Sequence, residues 1–293
     1  MGKLDAIGRG TFHHIASQDA VRPTNREIRW IKLIESHGPQ SSVYLHELTR
    51  DTHRCKDTAL RQMQHLRAGG YLSLPPQQRA TERAEFNPYI YDLTPKAHRF
   101  LADHGLAEAT VRPAGPWWHG YHVACVTSSI EMSAARDGVR LIPAHAILKR
   151  NAPGLAIPMG DKRLIPDQLF ALDYGGSYRA FVLEVDRGTE PMASTAFRKS
   201  LLASIDAYAQ AQKADKLRMA YSLRTPVLIL WVFTARARAE FLLRHLLTMP
   251  ANLSAAHLVM VDAGRLPEPS VPERYFRSLW QRAEMGPVTL SDR

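Results

Sequence analysis

Residues 164–190, LIPDQLFALDYGGSYRAFVLEVDRGTE, constrain the fold more than any other stretch of the chain. Two short apolar runs flank a turn at 173–177, and both read as strands. The second, 178–185, is β-branched and aromatic, a composition suited to a buried pleated surface. The first opens at Pro166–Asp167, and the second runs out into Glu184, Asp186 and Glu190. Carboxylates at the ends of adjacent strands repel one another unless a cation, lysine or arginine sits among them. Two readings follow. Either the cluster holds a hard divalent metal such as Mg2+ through oxygen ligands and serves phosphodiester chemistry, or it is a plain solvated strand end.

The chain has 293 residues, enough for one large or two modest domains. Lysine and arginine number 38 against 28 aspartates and glutamates, a formal charge of +10. That balance favours an anionic partner, nucleic acid first, although a basic surface without a partner carries the same charge. Cys55 and Cys125 lie far apart without ligand partners at metal spacing, so each is expected to be a small buried side chain. The start, MGKLDAIGRG, has no apolar core of a signal peptide, and the longest apolar run, 226–233, is too short to span a bilayer. The expectation is a cytoplasmic protein with no membrane partner.

Residues 1–23 read as a loose polar arm. A helix then begins at Thr24, with Glu27 three residues on and Ile28, Ile31 and Ile34 at helical spacing. A second helix fits 44–49 and a third 56–68, where Leu60, Met63 and Leu66 form the apolar stripe before Gly69–Gly70. Two strands, 71–74 and 89–93, flank a basic loop, and Thr94–Pro95 opens a bracing helix to about 104. Three helices followed by two strands predict a winged helix-turn-helix over 24–104, whose third helix enters the DNA major groove. The DNA-binding candidates are Arg54, Lys56, Thr58, Arg61, Gln62 and His65 on or beside that helix, and Arg79 and Arg83 in the wing. Winged helices also bind proteins, in which case the same side chains form a solvated face.

Residues 105–116, with Gly105, Pro113, Gly115 and Pro116, read as a linker. A second domain, 117–285, opens with a helix over 117–136 that carries His119 and His122. There follow a strand from Arg140, a poorly periodic hairpin or loop over 148–163, the two strands described above, and a helix over 195–214. A strand at 227–233, a helix near 236–247, a strand at 257–261 and a helix near 275–282 complete it. The order predicts a mixed α/β sheet with helical cover, followed by a loose tail over 286–293. No GxGxxG, GxxxxGK[ST] or GxSxG motif is present, so no organic cofactor is indicated.

The order helix, strands, helix, strand, with Asp167 on one strand and a Glu184–Val185–Asp186 pattern on the next, resembles the PD-(D/E)XK, restriction-endonuclease-like fold. Together with the stretch FVLEVDRGTE, 181–190, it makes the chain similar to the bacterial and plasmid replication-relaxation family over roughly residues 25–262. The resemblance implies a DNA-binding protein of plasmid replication or mobilisation and, if catalytic, a Mg2+- or Mn2+-dependent endonuclease. It implies Asp167 and Glu184 as metal ligands, with Asp186 as a third where the nuclease pattern has lysine. Lys199 would be a displaced lysine, so that Asp167, Glu184, Asp186 and Lys199 form the catalytic set, with His122 and Glu190 in support. The aspartate in place of lysine equally fits a non-catalytic regulator that keeps the sheet as scaffold or partner surface. The partners implied are DNA and either a second copy of the chain or a replication or mobilisation protein.

Overall fold

The computed structural model describes residues 15–79, 88–108, 111, 115–148, 154–193, 200–262 and 274–292. The chain divides into two compact units, and the division falls inside one long helix, α6 (Trp117–Arg136).

The first unit contains α1 (Asn25–His37), β1 (Gln40–Ser41), α2 (Ser42–Leu48), α3 (Lys56–Ala68), β2 (Leu72–Ser73), α4 (Pro76–Arg79), β3 (Ile90–Leu93) and α5 (Pro95–Asp103). α1 starts where the sequence places it. The Thr24 hydroxyl accepts from the Glu27 amide while the Glu27 carboxylate accepts from the Thr24 amide, a reciprocal box that satisfies donors left over at the helix start. Trp30, Ile31 and Ile34 then point inward to meet Leu45, Met63, Leu66 and Tyr91. The strands form one small antiparallel sheet in the order β1-β3-β2, so the two-residue β1, absent from the sequence reading, completes it. Its Gln40 amide also donates to Ser128 Oγ at 2.6 Å, and His37 Nδ1 lies 2.8 Å from Thr127 Oγ1. These buried contacts bind the first half of α6 into this unit.

The second unit is built on a five-stranded sheet. Its elements are β4 (Arg140–Pro143), α7 (Ala144–Leu148), β5 (Ile157–Met159), β6 (Lys162–Leu164), β7 (Gln168–Asp173), β8 (Tyr178–Asp186), α8 (Leu201–Lys213), α9 (Lys216–Ala220), β9 (Val227–Phe233), α10 (Arg236–Leu246), α11 (Ala251–Ser254) and β10 (His257–Val261). The sheet order is β10-β9-β8-β7-β4. β4, β7 and β8 are antiparallel neighbours, while β8, β9 and β10 run parallel. Parallel neighbours need a crossover, and α8 supplies the one between β8 and β9. One sheet face, with Ala180, Val182 and Trp231, is covered by Leu201, Ile205 and Tyr208 of α8 and Leu242 of α10. On β7 and β8, Phe170 and Phe181 pair directly across the strands and stack.

Four expectations change. Residues 274–282 form turns and two isolated bridges rather than a helix, because Tyr275 and Trp280 are spent on hydrogen bonds to Asp262 and to the Tyr275 carbonyl. The supposed loose tail is pinned: Leu290 is buried, its amide donates to Phe276 and its carbonyl accepts from Tyr174. The described part of the N-terminal arm is likewise docked, with Val21 buried and its carbonyl accepting from the Tyr71 hydroxyl. Finally, Cys125 is buried as expected but Cys55 is exposed, standing just before α3.

A buried hydrogen-bonded chain crosses β9 and β10. Trp231 Nε1–H donates to His257 Nδ1 at 3.0 Å, which leaves the ring proton on Nε2, 3.1 Å from Gln212 Oε1. Burial pushes the imidazole down to about 3 from its ordinary 6.5. Between these values the unfolded chain takes up a proton that the folded chain refuses. The stability contributed by the neutral ring is therefore complete above about pH 6.5 and is lost as pH falls towards 3, with a slope of up to about 1.4 kcal/mol per pH unit. Replacing His257 by Gln should flatten the acid limb of a plot of urea midpoint against pH; an unchanged slope would contradict this.

Candidate functional site

The antiparallel pairing of Gln168 with Leu183 brings the start of β7 beside the end of β8. Asp167, one residue before β7, donates its amide to the Leu183 carbonyl at 3.0 Å, and its Oδ2 accepts the Val185 amide at 2.8 Å. Glu184 is adjacent on β8. Both carboxylates are buried, at 7% and 5% exposure, which rules out the solvated strand end. Burying a carboxylate is costly unless donors replace water. Glu184 finds one in the Tyr208 hydroxyl of α8, 2.6 Å from its Oε1. Burial, and then the neighbouring Glu184 charge, hold the Tyr208 hydroxyl well above the ordinary tyrosine range, so it stays a donor. Sequence reasoning missed Tyr208, because nothing in the chain order marks a partner 24 residues away.

Asp186, two residues further along β8, has a different environment. Arg238, in the first turn of α10, spans its carboxylate with Nε to Oδ1 at 2.8 Å and a terminal nitrogen to Oδ2 at 2.5 Å. Both side chains are about nine-tenths buried. The Gly188 amide adds a third donor at 2.7 Å, from a backbone with φ of +74° that glycine adopts without strain. A bidentate arginine fork with a backbone donor satisfies a carboxylate thoroughly. The cation demanded by this acidic strand end is thus a side chain of the protein itself, and sequence reasoning missed it.

These residues do not fit the three-carboxylate metal centre that the resemblance implies. Oxygen ligands need lone pairs aimed at a common point, and both oxygens of Asp186 are committed to Arg238. Among the described residues, no group of three or more His, Cys, Asp or Glu side chains is placed to hold a metal ion. Asp167 and Glu184 are brought together; Lys199 lies outside the described residues. Glu190 is half-buried beyond β8, and His122 is fully buried in the part of α6 that belongs to the first unit.

The other candidate surface is α3. Its apolar stripe, Ala59, Met63 and Leu66, is buried, while Arg54, Lys56, Thr58, Arg61 and His65 are exposed and Gln62 is half-buried. Positions 58, 61 and 65 recur at helical spacing, so one face carries an arginine, a hydroxyl and an imidazole, with the exposed Arg54 just before the helix. Asp57 is the acidic residue on the exposed side. Arg79 ends α4, and its side chain lies outside the described residues, as does Arg83.

The structure defines a two-unit protein: a small helical unit with a three-stranded sheet, followed by a mixed-sheet α/β unit with carboxylates at one sheet end. The chain belongs to the replication-relaxation family, whose model matches residues 31–221, well over half of its length. No curated protein and no solved structure gave a significant match. Among the described residues, no helix is long and apolar enough to cross a membrane.

The Asp186–Arg238 pair makes a direct prediction. Arg238→Met strands a buried carboxylate and should destabilise the second unit by about 3–5 kcal/mol, whereas adding Asp186→Leu should restore a large part of the loss. Urea denaturation of the two variants checks this, and a mild effect of the single substitution would contradict it.

Proposed function

We propose that this protein binds duplex DNA in plasmid replication or mobilisation, reading it with α3, and that its sheet unit is a non-catalytic scaffold. The observation that carries the reading is the exposed polar face of α3, Thr58, Arg61 and His65, with Arg54 just before it, on a helix whose opposite side is fully buried. The element order supports it. A helix, a short strand, two helices and then two strands separated by the short α4, with the sheet order β1-β3-β2, support a winged helix-turn-helix reading, in which the third helix would enter the major groove. Membership in the replication-relaxation family and the charge of +10 agree with a DNA partner.

Apart from α7, the β5–β6 hairpin and α9, the second unit runs from the end of α6 through β4, β7, β8, α8 and β9, with two antiparallel pairings and then a parallel one. That order, with Asp167 and Glu184 side by side, supports a nuclease-like ancestry of the sheet. The closure of Asp186 by Arg238 supports a scaffold over a hydrolase. In this reading Arg61 and Arg54 meet base edges or phosphates, and the fork on Asp186 fixes the sheet end instead of serving chemistry.

Arg61→Glu should weaken binding to duplex DNA by about tenfold or more and reduce the salt dependence of the affinity, as expected when a cationic contact is reversed. Gel retardation at several salt concentrations measures both. Supercoiled plasmid incubated with wild-type protein and Mg2+ or Mn2+ should stay intact while being retarded. Unchanged affinity in the variant would contradict the role of α3, and nicking abolished by Glu184→Ala would contradict the scaffold.

A further inference from the structure

Several arginines of the second unit are held in ion pairs. Arg140, Arg238, Arg274 and Arg277 are each bonded to an aspartate: Asp173, Asp186, Asp262 and Asp137 respectively. Their charge is compensated inside the unit. Around the β5–β6 hairpin and the end of α8 the situation reverses. Lys162 and Arg163 on β6, Lys213 at the last residue of α8 and Arg224 after α9 are all exposed. Among the described residues, none of these four forms an ion pair.

The fold gathers these cations at one edge. Pro158 pairs with Arg163 across the hairpin, and the carbonyl of Pro158 accepts Lys216 Nζ at 3.3 Å, tying α9 to β5. The Tyr221 hydroxyl, at the end of α9, donates to the Leu155 carbonyl just before β5 at 2.7 Å. Leu164 of β6 packs in the same core as Leu201 and Ile205 of α8, and Leu217 of α9 joins it. The acidic groups nearby are few: Asp215 is held by Arg218, and Asp161 sits at the exposed hairpin turn. Exposed cations left uncompensated repel one another, a modest penalty that disappears when an anionic surface is bound.

We infer that the edge formed by the β5–β6 hairpin and the α8–α9 corner is a second DNA contact, one that holds phosphates without reading bases. The inference rests on the proposed DNA-binding function. A long-side-chain cation surface with no bidentate pocket is suited to a polyanion that presents many equivalent phosphates. DNA is favoured over an anionic membrane because the same chain carries the α3 face, and one tethered contact raises the local concentration of DNA at the other. The contact adds affinity but no sequence preference.

The test uses the full-length triple variant Lys162→Glu/Arg163→Glu/Lys213→Glu, whose changes are all at exposed positions, with circular dichroism and thermal melting to establish that it folds as wild type does. Binding to mixed-sequence duplexes is measured by fluorescence anisotropy between about 50 and 200 mM salt, beside Arg61→Glu and anionic phosphatidylserine vesicles. The expected result is roughly a tenfold loss of affinity, equal for every duplex, and a log–log salt slope lower in magnitude by about 2–3. Undiminished affinity and slope in the triple variant, with Arg61→Glu impaired, would overturn this second contact alone. Wild-type protein that binds no DNA would overturn it together with the reading of α3. Loss of vesicle binding with DNA binding intact would overturn it in favour of a membrane partner.

Discussion

Carboxylates buried at the end of a sheet must find donors within the protein, and the second unit is organised around meeting that demand. Three elements converge on the end of β8 to do so. The backbone of β8 itself donates Val185 N–H to Asp167, α8 brings the Tyr208 hydroxyl to Glu184, and α10 brings the guanidinium of Arg238 to Asp186. Each contact also fixes a piece of tertiary structure: the β7–β8 register, the packing of the crossover helix, and the seating of α10 after β9. Removing one donor leaves a buried charge uncompensated, which is far more costly than the net worth of the bond it made.

That organisation bears on chemistry. A catalytic carboxylate cluster must keep lone pairs open towards a common centre, whereas a structural one closes them. Asp186 is closed on both oxygens by an arginine, a group whose charge is permanent and whose planar fork matches the carboxylate. At the end of β8 a side chain of the protein itself supplies the cation that the Asp186 carboxylate requires.

Much of the fold was legible because its signals are local. The Thr24–Glu27 box, the apolar stripe of α3 and the runs that became β9 and β10 each declare themselves within a few residues. Two-residue β1 carries no periodicity and forms only because Gln40 and Ser41 meet Tyr91 and Ile90. The final segment misled because Tyr275, Phe276 and Trp280 mimic a helical stripe while packing as separate anchors in a turn. The candidate site was half legible. Asp167 and Glu184 follow from strand register, but Tyr208 and Arg238 are 24 and 52 residues from their partners, and only the α8 crossover and the α10 packing bring them there.

The most direct measurement is hydrogen–deuterium exchange of the full chain with and without a mixed-sequence DNA duplex, in the presence of Mg2+. The expected result is DNA-dependent protection concentrated in peptides covering 54–65, with the strand ends at 167 and 184–186 unchanged. Protection at those strand ends that requires Mg2+ and spares 54–65 would contradict it.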